Sequence, residues 1–335
     1  MKKIINFIRY DSTLFLYPVS LFLLINHFGI SGNSVISAVL FVLLSVLLNP
    51  LFRHKSRFVQ ESSLKNRLTD FSAVISVLLS LFIETGIIVN VFTSLSDAES
   101  GVFDKCIFVL IIIVAAFVIS YFNNGALVKI SNILFLLPII AIIPIILSIP
   151  VNGINIRNFL SFEAAEIEHD ILNGIFLFLI FTPDTFVSDQ IQSHYSNSSK
   201  RQNNTAIILS TAYITVMSLL ICVILGENIY KDVLNPVFAV SSTVEFFEFD
   251  EIILIIYSLC LIYRFSCKLK FVNYIFKKYI HKIQLTNTAV FILSSIFAVA
   301  GVLLYEKGSN LSFYLTLYGL NTVILFILSQ AVKKP

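Results

Sequence analysis

The feature that most restricts this chain is a series of apolar stretches, each roughly 17–25 residues long and nearly free of charge, separated by short polar segments. They fall at about 13–30, 34–52, 70–95, 104–122, 127–149, 171–188, 205–226, 251–267, 287–305 and 311–332. A helix of that length spans the ~30 Å hydrocarbon layer of a bilayer. None of the stretches sustains strand alternation, and backbone in lipid must satisfy its own hydrogen bonds, which leaves helices. Composition agrees: 57% hydrophobic and 13% charged residues stand far from the roughly 45–50% and 25% of soluble domains. The chain therefore reads as an all-α polytopic membrane protein of about ten transmembrane helices in one transmembrane domain, residues 1–335. Met1-Lys2-Lys3 opens like a leader, but Arg9, Asp11 and Pro18 interrupt it and no small-residue cleavage site follows the first stretch. That stretch is expected to be retained as a span.

Loop charge orients the set. Lys2, Lys3 and Arg9 fall on one side, with Arg53, Lys55, Arg57, Lys65, Arg67, Lys129, Lys200, Arg201, Lys268, Lys270, Lys277, Lys278, Lys282, Lys333 and Lys334. The opposite loops carry Asp97, Glu99, Asp104, Glu163, Glu166, Glu168, Asp170, Glu227, Asp232, Glu245, Glu248, Asp250 and Glu251. The basic side is cytoplasmic by the positive-inside rule, which puts both termini in the cytoplasm of a multi-pass cell-membrane protein. The net charge of +3 reflects this topology and leaves no nucleic-acid footprint.

Other chemistries find little to stand on. Cys106, Cys222, Cys260 and Cys267 form no CxxC pair, and the five histidines, His27, His54, His169, His194 and His281, lie singly without metal-ligand spacing. No P-loop, HExxH or Ser-His-Asp grouping occurs. Neither a metal, a cofactor nor an enzymatic activity is expected, although a membrane-embedded lipid-modifying enzyme stays open as a reading of another class.

The spans divide into two fives, 13–149 and 171–332. An odd number of crossings in each half makes the second half an inverted copy, an arrangement that transporters use. Long loops at 53–69 and 227–250 occupy matching places on opposite faces, and the first span of each half carries an internal proline: Tyr17-Pro18-Val19-Ser20 and Thr182-Pro183-Asp184-Thr185. Proline removes a helical hydrogen bond, and the freed backbone groups can face a ligand; an ordinary proline kink is the alternative.

This five-plus-five pattern resembles the amino acid, polyamine and organocation transporter superfamily. Within it, Gly226-Glu227, Asn235-Pro236-Val237-Phe238, Glu248-Phe249-Asp250 and Arg264-Phe265-Ser266 are similar to motifs of the spore germination permeases, the B subunits of endospore germinant receptors. The resemblance implies a ligand-sensing membrane subunit, a small nutrient such as an amino acid as ligand, partner subunits in the spore inner membrane, and no nucleic acid. Proton- or cation-coupled amino acid uptake is the alternative within the same fold.

Depth selects the site candidates. Glu84 lies about fourteen residues into span three, near ~21 Å, and Asp184 sits at similar depth in span six. Ionisable groups there cost about 2.5–3.5 kcal/mol on insertion scales and should face a protein interior. Glu84 is read either as a proton- or ion-coupling group or as a structural link to a neighbouring helix. Asp184 is read as a ligand or ion partner, or as a cap on a freed amide beside Pro183. Tyr17, Pro18, Ser20, Thr182, Pro183, Asp184 and Thr185 make up the expected substrate site. Arg264 either snorkels to the cytoplasmic interface, with Lys268 and Lys270 close behind, or pairs with Glu84 or Asp184 as a coupling or gating residue. Asn321 is either a ligand contact or a link between helices.

One expectation tests the topology. A cysteine introduced at Asn197 should react with impermeant thiol reagents only from the cytoplasmic side and one at Ser100 only from outside; labelling of both from one side contradicts ten spans.

Overall fold

The computed structural model describes residues 39–45, 47, 64–95, 101–152, 171, 175, 178, 179, 183, 184, 187, 208–210, 212, 213, 216, 217, 220, 221, 224, 240, 249–280, 283–306 and 311–331. Among them every regular element is an α-helix. We label those with defined bounds α1 (Leu64–Leu95), α2 (Val102–Ser120), α3 (Asn124–Leu134), α4 (Leu136–Ile140), α5 (Ile142–Asn152), α6 (Phe249–Tyr279), α7 (Ile283–Glu306) and α8 (Leu311–Ala331). Among the described residues, four stretches are long and apolar enough to cross a bilayer: Arg67–Gly86, Val102–Ser120, Asn124–Ile149 and Gln284–Leu304. The architecture is that of an all-α membrane protein. The expected spans at 13–30 and most of those at 34–52, 171–188 and 205–226 lie outside the described residues, as do Tyr17, Pro18, Ser20, Thr182 and Thr185.

Two compact units divide the described residues. One is drawn from Met1–Val46, Val128–Phe178 and Ser199–Leu261, the other from Leu47–Leu127, Leu179–Ser198 and Ile262–Pro335. In the second unit α1 is buried on nearly all sides between Asp70 and Val89. It crosses α7 at close range, because Gly301 has no side chain. An added Cβ there would stand 2.1 Å from the Phe82 carbonyl oxygen. Thr85 Oγ1 lies 3.1 Å from both the Phe82 and Ala298 carbonyls and fastens the crossing. Ser72 Oγ donates to Asn321 Oδ1 at 3.3 Å and ties α1 to α8, so Asn321 links helices. Phe117 of α2 and Phe291 of α7 meet with ring centroids 5.0 Å apart. The outward residues of α2, α7 and α8 include Phe103, Ile111, Val118, Ile292, Ile296, Leu320 and Ile327, all more than half exposed. Large aliphatics face outward, and polar and charged side chains such as Asp70, Ser80, Glu84 and Thr85 are buried among the apolar core residues.

Helix ends follow local chemistry. Asp104 Oδ2 accepts from the Gly101 amide at the start of α2, and Asn123 Oδ1 accepts from the Ala126 amide at the start of α3. The last carbonyls of α2 are met by Lys270, whose Nζ donates to Ser120 at 3.4 Å and to Phe122, a favourable place for a cation. Lys270 is half-buried, and that burial pulls its amine below the usual lysine range.

The expected span at 127–149 lies within one apolar stretch, Asn124–Ile149, whose helix is interrupted at Phe135 and Ala141, each three residues before a proline, Pro138 and Pro144. Proline has no N–H to donate and crowds the carbonyl four residues back, so each ring ends one helical segment. In the first unit Tyr213 donates from its hydroxyl to the Pro138 carbonyl at 2.8 Å. One sequence expectation needs correction: span eight is expected to end at 267 with Lys268 in a loop. Helix α6 instead continues to Tyr279.

The α1–α7 crossing gives a direct test. Gly301→Ala should destabilise the detergent-solubilised protein by at least about 1–3 kcal/mol, because backbone must move to admit the methyl group. Gly319→Ala, whose Cβ would meet only Leu179 Cδ1 at 3.4 Å, should leave the melting temperature near wild type. Equal melting temperatures for the two variants would contradict the close crossing.

Candidate functional site

The second unit holds a cluster of four buried charges. Glu84 comes from α1, Asp184 from the segment that also carries Pro183, and Arg264 and Lys268 from α6; all four are 0% exposed. The spacing of the sequence sets them up. Ser80 and Glu84 are four residues apart on α1, Arg264 and Lys268 four apart on α6, so each pair shares one helix face. Residues 263–269 of α6 are all buried. That stretch has no outward side, which is why its cations turn to protein partners.

The contacts form a closed chain. Lys268 Nζ donates to both Glu84 oxygens at 2.8 Å and to Ser80 Oγ at 2.6 Å. It stands 3.5 Å from Asp184 Oδ1. Arg264 Nη2 bridges the two acids, 2.8 Å from Glu84 Oε1 and 2.5 Å from Asp184 Oδ2. The Phe265 ring adds a face 5.9 Å from the Lys268 ammonium. Two positive and two negative groups thus sit together with formal charge zero. Burying any one alone would cost several kcal/mol, and only mutual attraction with good geometry offsets that cost.

Of the residues singled out from sequence, this cluster brings together Glu84, Asp184 and Arg264. Pro183 is buried beside Asp184. The two readings left open for Arg264 resolve into pairing, with both acids at once. Lys268 and Ser80 went unrecognised as cluster members, since a lysine just past an apolar stretch reads as loop. The signal that identifies them is the matched four-residue spacing, Ser80/Glu84 opposite Arg264/Lys268.

No protein-family model matches this chain, and no curated protein matches it. Buried ionisable groups inside helical membrane proteins line substrate or ion routes, pair with one another, or do both. The geometry supplies cationic donors for an anionic group and carboxylates for a cationic one, within a few ångströms and shielded from solvent.

The charge balance itself is testable. Glu84→Gln and Lys268→Met should each lower stability by about 3–5 kcal/mol, because each leaves an uncompensated buried charge. The double variant removes one charge of each sign and should be more stable than either single variant, giving a clear coupling energy in a double-mutant cycle. Additive losses in denaturation of the purified protein would contradict the cluster.

Proposed function

We propose that the chain is a transporter-like membrane protein that recognises a small zwitterionic nutrient, an amino acid, at the Glu84–Asp184–Arg264–Lys268 cluster. The observation that carries this reading is the charge-balanced ion quartet in the interior of a bundle whose outside is apolar. A zwitterion bears one charge of each sign. It can enter between Asp184 and Arg264, giving its ammonium to the aspartate and its carboxylate to the guanidinium, and leave the net charge of the site unchanged. A ligand with a single charge would leave one protein group buried without a counter-ion, so the same physics disfavours it.

The wider setting rests on the sequence. Ten spans in two inverted fives, both termini in the cytoplasm, and likeness to the spore germination permeases make this the ligand-sensing subunit of a germinant receptor in the spore inner membrane. Ligand binding would favour one of two conformations of the core, and partner subunits would read the shift. Amino acid uptake by the isolated protein in proteoliposomes would replace the sensing role with transport and keep the same site.

Asp184→Asn keeps the size of the side chain and removes its charge. Loss of a charge-assisted hydrogen bond is worth roughly 1.5–3 kcal/mol, so affinity for the amino acid that binds the wild type best should fall about 10- to 150-fold. Binding of a panel of L-amino acids to equal amounts of purified protein measures this. A wild-type curve for Asp184→Asn puts the ligand elsewhere.

A further inference from the structure

The four-charge cluster is one end of a longer seam. Helices α1 and α6 run antiparallel, and their polar links keep one register: Glu84 meets Arg264, Ser80 meets Lys268, and near the start of α1 Asp70 meets Lys278 and Tyr279. The Asp70 contacts measure 2.7 Å to Lys278 Nζ and 2.5 Å to the Tyr279 hydroxyl. Asp70 and Glu84 are fourteen residues apart, as are Lys278 and Arg264, which separates the two ionic clamps by about 21 Å along each helix.

Between the clamps the same helix faces carry Ala73 and Val77 on α1 and Phe271 and Ile275 on α6, all buried. On each helix the order is thus charge, then apolar side chains, then charge. Where two such apolar faces close on each other they block passage by excluding water. The two clamps differ in character. Every member of the inner one is buried. The outer one reaches solvent, since Lys278 is a quarter exposed while Asp70 is wholly buried. Asp70 Oδ1 has no hydrogen-bond partner among the described residues, so water gains a hydrogen bond by entering there.

We propose that this seam is a gate on the side of the ligand cluster that the loop charges assign to the cytoplasm, with Asp70–Lys278–Tyr279 as its latch and the Ala73, Val77, Phe271, Ile275 layer as its seal. The proposal rests on the cluster being the ligand site, but its test needs no ligand.

The test is thiol accessibility at the seal. Val77→Cys is introduced into full-length protein whose four native cysteines are replaced by alanine, and its reaction rate with a small impermeant methanethiosulfonate is followed. With the latch intact the thiol should react slowly. Asp70→Asn should raise the rate about tenfold or more by populating the open seam, and the exchanged pair Asp70→Lys with Lys278→Asp should restore protection. Size-exclusion chromatography checks that each variant is folded, and Lys278→Gln reads the same contact from the exposed side if Asp70→Asn does not fold. Equal rates with and without the latch, or no protection in the exchanged pair, overturn the gate. If the gating pattern holds while Asp184→Asn binds amino acids normally, the gate stands and the ligand assignment fails.

Discussion

Everything in the second unit depends on how four charges are accommodated in an interior with no water to solvate them. A lone carboxylate or ammonium in that setting is too costly to keep, whereas two of each sign, held 2.5–3.5 Å apart, offset one another. The requirement reaches outward. To bring Glu84 and Asp184 to Arg264 and Lys268, α6 must be enclosed over residues 263–269, and α1 must lie beside it in an antiparallel register. The close crossing of α1 on α7, which only a glycine at 301 permits, positions the helix that carries Glu84. The packing of apolar helices and the pairing of buried ions are therefore one problem with one solution.

Much of this was legible in the sequence, and the physical reason is the same throughout. In lipid the backbone has one economical conformation, so long apolar stretches announce helices, and α2, α7 and α8 start and end within a few residues of expectation. Helix α1 begins at Leu64 instead of 70 because its first turns are polar, and hydropathy marks the apolar part of a helix only. The same blindness shortened α6. Lys268 and Lys270 look like the start of a cytoplasmic loop, yet one turns inward to Glu84 and the other caps α2. A linear pattern cannot tell a lysine that meets water from one that meets a carboxylate on another helix.

Pro18 and Pro183 stand out in the sequence because each interrupts the first span of a half, while Pro138 and Pro144 sit in unbroken aliphatic sequence. Backbone geometry responds to the missing N–H alone, so the breaks at Phe135 and Ala141 follow whether or not a polar neighbour marks them. Glu84, Asp184 and Arg264 could be nominated from depth and charge. Their convergence could not, because which helices adjoin is a property of packing.

A charge-neutral quartet also sets the terms on which it can respond. Under the proposed function it admits a ligand that supplies both charges at once. The most direct measurement is infrared difference spectroscopy of the protein in lipid, with and without the bound amino acid. The account requires ligand-induced changes in the carboxylate and guanidinium bands that vanish from the carboxylate region in Asp184→Asn, because Asp184 and Arg264 exchange each other for the ligand. An amino acid that binds the wild type without altering either set of bands would contradict it.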